Sequence, residues 1–141
     1  MAWRPRNETP QDLENEAKAA EYLSELWAIK VTKLSEYLYP VDWAFSRNDE
    51  VVAFAEYKKR NRKYDSALLC AAKYFRMVEW GRITKLPVLL IIEWPGELMY
   101  INLTEEQLDL KPHIGGNSRG QNGDISPVVF IPCDKFVKVD P

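Results

Sequence analysis

The sequence holds one histidine, His113, and only two cysteines, Cys70 and Cys133, in 141 residues. These are too few nitrogen and sulfur donors for a zinc site of ordinary ligand spacing. The cysteines lie far apart, and a disulfide is not expected in a reducing compartment, so both read as small buried side chains. A Ser-His-Asp or Cys-His nucleophile would have to recruit His113, which stands in a glycine-rich loop without an orienting partner beside it. That chemistry is set aside. Long hydrophobic runs are missing too. The longest unbroken apolar stretch, Pro87 to Ile92, is far too short to span a bilayer. The opening Met-Ala-Trp-Arg-Pro-Arg has no apolar core of the kind a secretory signal needs. A cytoplasmic protein with no membrane partner is the expectation.

A basic excess is also lacking, since the net charge is −2. By itself this argues against nucleic acid, whose phosphates usually select a positive surface. The distribution argues the other way. From Lys58 to Lys85 nine basic residues face two acidic ones, so that segment carries +7 and the remainder −9. So uneven a split predicts one basic face on an acidic body. What the chain does have is 46% hydrophobic and 28% charged residues, the balance of a single globular domain with a real core.

Thr9-Pro10-Gln11-Asp12 is a helix start, with a threonine cap, proline at the first helical position and an acid in the first turn. The helix is expected to run to about Trp27. Strands are expected over Ala28–Leu34, Pro40–Phe45 and Val51–Lys58, the last two joined by the turn-forming Ser46 to Glu50. A second helix, capped by Asp65 or Ser66, should stop at Gly81. Pro87 to Trp94 has the continuous aliphatic character of a central strand, and Pro95-Gly96 turns it into another, Glu97–Asn102. Thr104 to Leu108 suits a short helix and Lys111 to Asp124 a loop. Val128–Ile131, flanked by prolines, suits an edge strand. The fold class is therefore α/β, one domain with a central mixed sheet flanked by helices.

Two places in this pattern carry charge where apolar residues belong. On the first helix the apolar stripe is Leu13, Ala17, Ala20, Leu23 and Trp27, and Glu16 falls inside it. A buried carboxylate is costly unless it is paired or binds a metal. In the third strand Val52, Phe54, Glu56 and Lys58 share a face, so that face turns from dry to charged near the strand end. Asp42, on the neighbouring strand, is within reach of the same end. Two carboxylates beside a lysine suit a hard divalent cation and an ammonium free to meet a phosphate oxygen or an attacking hydroxide.

In order and spacing these residues resemble the PD-(D/E)XK nuclease superfamily, especially its small Holliday-junction-resolvase-like and phage-type members. Glu16-Ala-Lys-Ala-Ala-Glu-Tyr-Leu23 resembles the first-helix motif, Pro40-Val41-Asp42 the aspartate motif and Glu56-Tyr57-Lys58 the E-x-K motif. Val41 separates the proline from the aspartate, a departure at a position that varies within the superfamily. The resemblance covers residues 10 to 94 and implies a restriction-endonuclease-like αβββαβ core. It implies a catalytic set of Glu16, Asp42, Glu56 and Lys58. Asp42, Glu56 and the backbone carbonyl of Tyr57 would ligate Mg²⁺ or Mn²⁺, and Glu16 would help with a metal or hold its water. Lys58 would position the nucleophilic water.

The implied activity is hydrolysis of DNA phosphodiesters, selective for shape or ends over sequence, and a homodimer is expected from the resemblance alone. Lys59, Arg60, Arg62, Lys63, Lys73 and Arg76 are the expected nucleic-acid contacts, with Trp80 placed for base stacking and Lys111 and Arg119 for closing over a substrate. The alternative is a catalytically inactive nuclease-like fold that binds nucleic acid or protein.

Overall fold

Thr9 and Asp12 cap one another at the start of the first helix in the computed structural model, which describes residues 9–105, 108, 110–115 and 126–139. The Thr9 hydroxyl accepts from the Asp12 amide at 3.1 Å, and the Asp12 carboxylate accepts from the Thr9 amide at 3.0 Å. This capping box satisfies two amides that a helix start leaves unpaired. Helix α1 (Pro10–Leu26) ends where Ala28 takes a left-handed φ of 50°. Its buried face is Glu16, Ala19 and Leu23. The expected stripe is rotated, because Ala17 is exposed and Leu13 is 47% exposed. Glu16 thus lies within the buried face, not at its rim.

Three antiparallel strands follow, β1 (Lys30–Lys33), β2 (Trp43–Arg47) and β3 (Glu50–Lys59). Asn48 and Asp49 turn β2 into β3 with φ of 53° and 63°. Two consecutive positive φ values are what a tight hairpin between right-twisted strands requires, and these residue types tolerate them.

The next element corrects the sequence reading. Ser66 does not open a helix; Ser66–Cys70 is a strand, β4, and helix α2 covers Ala71–Thr84. Ala67 and Leu69 are buried between less buried neighbours, the period of a strand. Gly81 does not stop α2 either. It is buried in the last turn of the helix, where an added Cβ would lie 2.3 Å from Thr104 Cγ2 and 3.2 Å from Val88 Cγ2, so its bareness allows close packing.

Strand β5 (Val88–Trp94) pairs parallel to β3 and antiparallel to β6 (Glu97–Asn102). Two further strands, β7 (His113–Gly115) and β8 (Ser126–Pro132), lie outside this sheet, and β9 (Val137–Lys138) rejoins it. The large mixed sheet runs β1-β2-β3-β5-β6-β9 and the small one β4-β8-β7. The last expected strand, Val128–Ile131, is therefore central, since β8 lies between β4 and β7. Its prolines stand at the ends of the ladder, paired with Ile114 and Ser66. Of the expected helix Thr104 to Leu108, Thr104 and Glu105 lie in a turn, and residues 106 and 107 lie outside the described residues. Of the expected loop, Lys111 and Pro112 are exposed coil, His113–Gly115 is strand β7, and residues 116–124, with Arg119, lie outside the described residues.

The large sheet has an apolar core on each face. Helix α1 closes one over Leu23, Trp43, Ala55, Tyr57 and Ile91. Helix α2 and the small sheet close the other over Val41, Phe54, Leu69, Met77, Leu90 and Ile131. Burying a side chain such as Met77 or Ile131 stabilises the fold by about 1.5–3 kcal/mol each. Among the described residues no helix is long and apolar enough to cross a membrane.

Candidate active site

Along β3, alternation sends Ala55 and Tyr57 toward α1 and Phe54 and Glu56 toward α2. Three charged side chains are buried among the described residues: Glu16 at 6% exposure, Asp42 at 3% and Glu56 at 2%. They are the three acids that the sequence pattern singled out.

Asp42 stands one residue ahead of β2, not within a strand as expected. Its carbonyl accepts from the Leu34 amide at 2.8 Å, and its Oδ2 accepts from the Tyr57 amide at 3.0 Å. The second bond joins the aspartate directly to the middle residue of Glu56-Tyr57-Lys58. Burial first, and then the neighbouring Asp42 charge, raise the Glu56 pKa from 4.5 to about 7. Lys73 and Lys58 act in the opposite direction. Their ammonium nitrogens lie 3.4 Å and 3.9 Å from Glu56 Oε2. Glu56 Oε1 is buried with no hydrogen-bond partner. Burial lowers the Lys58 pKa, and Glu56 partly offsets this.

Glu16 reaches this cluster through a lysine that the sequence reading missed. Lys33 Nζ lies 2.7 Å and 2.8 Å from the two Glu16 oxygens and 4.0 Å from Asp42 Oδ1. The signal available in sequence was weak, because Lys33 matters only through the register that pairs it with Trp43, next to Asp42. On the α1 side, Tyr57 stacks on Trp43 at 5.4 Å and donates to Glu93 Oε1 at 2.7 Å. Burial and that carboxylate both push its phenol pKa up.

The basic residues separate into distinct groups. Lys73, expected to share an outward face with Arg76, instead turns toward Glu56, whereas Arg76 is exposed. Lys59 pairs with Glu93 at 3.2 Å and Lys63 with Glu97 at 2.7 Å. Arg60 donates to the Leu68 carbonyl at 3.4 Å. The Arg62 guanidinium lies 5.2 Å from the centre of the Tyr64 ring. Trp80 is not placed for base stacking. Its ring meets Phe54 and Tyr39 edge-on, and its indole nitrogen is buried. Lys111 is exposed.

As a donor set, Asp42 and Glu56 fit a hard divalent cation. They bring two adjacent carboxylates, one with a buried oxygen lacking a partner, and each would be far cheaper to bury with a cation than without one. Among the described residues no group of three or more His, Cys, Asp or Glu side chains could hold a metal ion. Among the described residues, a further ligand would come from backbone, with solvent or substrate completing the set.

Comparison with known proteins agrees with this layout. A family model described as "Phage putative PDDEXK endonuclease" matches residues 2–139. No curated protein matches. Among solved structures, Hjc of Archaeoglobus fulgidus, a Holliday junction resolvase from an archaeal hyperthermophile, superposes with a TM-score of 0.58. The alignment covers 89% of this chain and 92% of Hjc at 11% identity, a likeness of fold. Matched by its family model over nearly its whole length, the chain belongs to the phage PDDEXK endonuclease family.

Proposed function

We infer that this chain is a metal-dependent deoxyribonuclease that hydrolyses phosphodiester bonds at the cluster of Asp42, Glu56 and Lys58. The observation that carries this reading is the burial of two adjacent carboxylates against two ammonium groups, with one Glu56 oxygen unpartnered. Such an arrangement is costly for stability alone and well suited to binding a cation and a phosphate. Asp42 Oδ1, Glu56 Oε1 and the Tyr57 carbonyl would hold Mg²⁺ or Mn²⁺. When bound, the ion would polarise the scissile phosphate and make water a better nucleophile.

The chain's own residues supply the rest. Lys58 orients the attacking water with its ammonium and offsets negative charge gathering on the phosphate oxygens. Lys73 adds a second ammonium in the first turn of α2, on the same side of Glu56. Glu16 flanks the cluster from α1 through Lys33. Lys59, Arg62, Lys63 and Arg76 are exposed and would hold the DNA backbone, giving binding that weakens steeply with salt. The substrate feature selected is shape or an end, as in the junction that the name of the Hjc relative prints. A homodimer belongs to this proposal on the family resemblance and is read by sedimentation.

The test is a labelled panel of supercoiled plasmid, linear duplex, single strand, flap and four-way junction. Each is incubated with Mg²⁺, Mn²⁺ or EDTA, beside Asp42→Ala and Lys58→Ala. Cutting that needs the metal and disappears in both variants supports the proposal. Salt-sensitive binding without cutting would establish the inactive binding module instead.

A further inference from the structure

The chain between β1 and β2 leaves the sheet at Lys33 and returns at Asp42, so both ends of this loop are residues of the site. Its roots are fixed. The Leu34 amide donates to the Asp42 carbonyl at 2.8 Å, and Pro40 and Val41 are buried. The Tyr39 ring meets Trp80 edge-on at 5.9 Å. Trp80 in turn meets Phe54, which shares a face of β3 with Glu56 and Lys58. The loop therefore packs on the α2 side of the large sheet, the side to which Glu56 points.

The tip is built differently. The Leu38 and Tyr39 amides donate to the Ser35 carbonyl at 3.3 Å and 3.0 Å, and the Tyr37 amide donates to Ser35 Oγ at 3.3 Å. This closed turn holds Tyr37 68% and Leu38 77% exposed. Among the described residues they are the only large exposed hydrophobics adjacent in sequence. Single exposed apolar residues are ordinary, but a pair held out on a closed turn is a surface for contact. Two side chains offer far less than the roughly 800 Å² that each side of a stable protein interface buries. No lysine or arginine lies between Lys33 and Asp42, so the tip is not a phosphate contact. Leu38 stands four residues from Asp42, a span of at most about 14 Å. That is about four base steps of DNA at about 3.4 Å each.

We propose that Tyr37 and Leu38 form a wedge that enters an opened base step close to the scissile phosphate. Leu38 fills the gap between bases, and Tyr37 stacks on the base that the gap uncovers. Opening a step costs least where the bases are already unpaired, so the wedge selects mismatched or branched DNA over an intact duplex. The inference rests on the DNA-cleaving reading above and names the part of the chain that reads substrate shape.

The experiment measures the affinity of the full chain for two labelled duplexes of one sequence, one fully paired and one with two adjacent mismatches. Fluorescence polarisation reads the binding, with Ca²⁺ in place of Mg²⁺ to keep the strands whole. Wild type is expected to bind the mismatched duplex about tenfold or more tighter. Tyr37→Ser combined with Leu38→Ser should bring that ratio to about one, whereas Tyr37→Phe, which keeps the ring, should retain it. Arg62→Ala should weaken both duplexes alike and leave the ratio unchanged. Equal affinities on wild type, or a preference that survives the double serine variant, would overturn the proposal and leave the nuclease reading standing. A dimer that sediments in wild type and is lost in that variant, with the DNA preference unchanged, would also overturn it and give the tip to a second copy of the chain. No binding to either duplex, with no cutting on the substrate panel, would overturn the DNA reading and this inference with it. The wild-type ratio needs no variant, so the proposal can be refuted even where the double variant does not fold.

Discussion

Replacing Glu56 with glutamine should stabilise the metal-free protein, and by more as the pH rises. The folded carboxyl titrates at about 7 instead of 4.5, mainly because it is buried and then because Asp42 is beside it. A folded pKa raised above the unfolded one means that the protonated form is favoured in the fold. That stability is fully present below about pH 4.5 and is lost as the pH climbs through about 7. The gap of about 2.5 pH units, at about 1.36 kcal/mol each, corresponds to about 3 kcal/mol. Glutamine mimics the protonated form and does not titrate. The stability difference between variant and wild type should therefore grow between pH 4.5 and 8 by about 3 kcal/mol and then level off. Urea unfolding in EDTA across that range, followed by tryptophan fluorescence, measures it, because the carboxylates not coupled to Glu56 contribute equally to both proteins. Asp42→Asn should shrink the slope, since it removes the second cause. Adding Mn²⁺ at pH 8 should restore stability to wild type and not to Glu56→Gln. Parallel curves for wild type and variant would refute the account of Glu56 as a buried, destabilising carboxylate held for a cation.

Three other outcomes are expected. Lys58→Ala should lower the single-turnover cleavage rate by about 10²–10⁴-fold with far less effect on DNA affinity, measured at saturating protein. Gly81→Ala should destabilise the fold by about 1–3 kcal/mol in urea, although alanine is the better helix former by about 1 kcal/mol, because its Cβ has no room beside Thr104. Lys85→Gly should raise stability by about 1 kcal/mol in the same assay, since Lys85 holds a left-handed φ of 60° at the end of α2.

The centre of the site was legible because its rules are local. Glu56 and Lys58 share a face through strand alternation, Asp42 is carried by the same hairpin, and Glu16 interrupts an apolar helix face. What was missed depends on residues distant in sequence. Ser66–Cys70 carries both a capping signal and an alternating pattern, and the decision for strand comes from β8, about sixty residues later. Gly81 reads as a stop signal unless the approach of Thr104 and Val88 is known. Lys33 is an ordinary strand lysine until its register with Trp43 is set. Lys73 was grouped with Arg76 on one helix face, and its place in the first turn of α2, 3.4 Å from Glu56, follows only once the helix is known to start at Ala71.

The small sheet makes the middle of the chain depend on its last described strands. Among the described residues β8 supplies the only strand against β4, and the Cys133 amide and thiol donate to the carbonyls of Asp65 and Tyr64 just ahead of it. β4 in turn runs without a break into α2, whose first turn carries Lys73. A shortened protein ending near Trp94 would keep every motif residue of the resemblance and lose the strand that anchors that helix. Val129 and Ile131 would no longer cover Ala67 and Leu69, and the backbone of β4 would be an open edge ready to pair with another chain. The motif-bearing stretch is thus a shell that needs the last described strands to close it, and cutting it down to a minimal nuclease should yield an aggregating fragment, not a smaller enzyme.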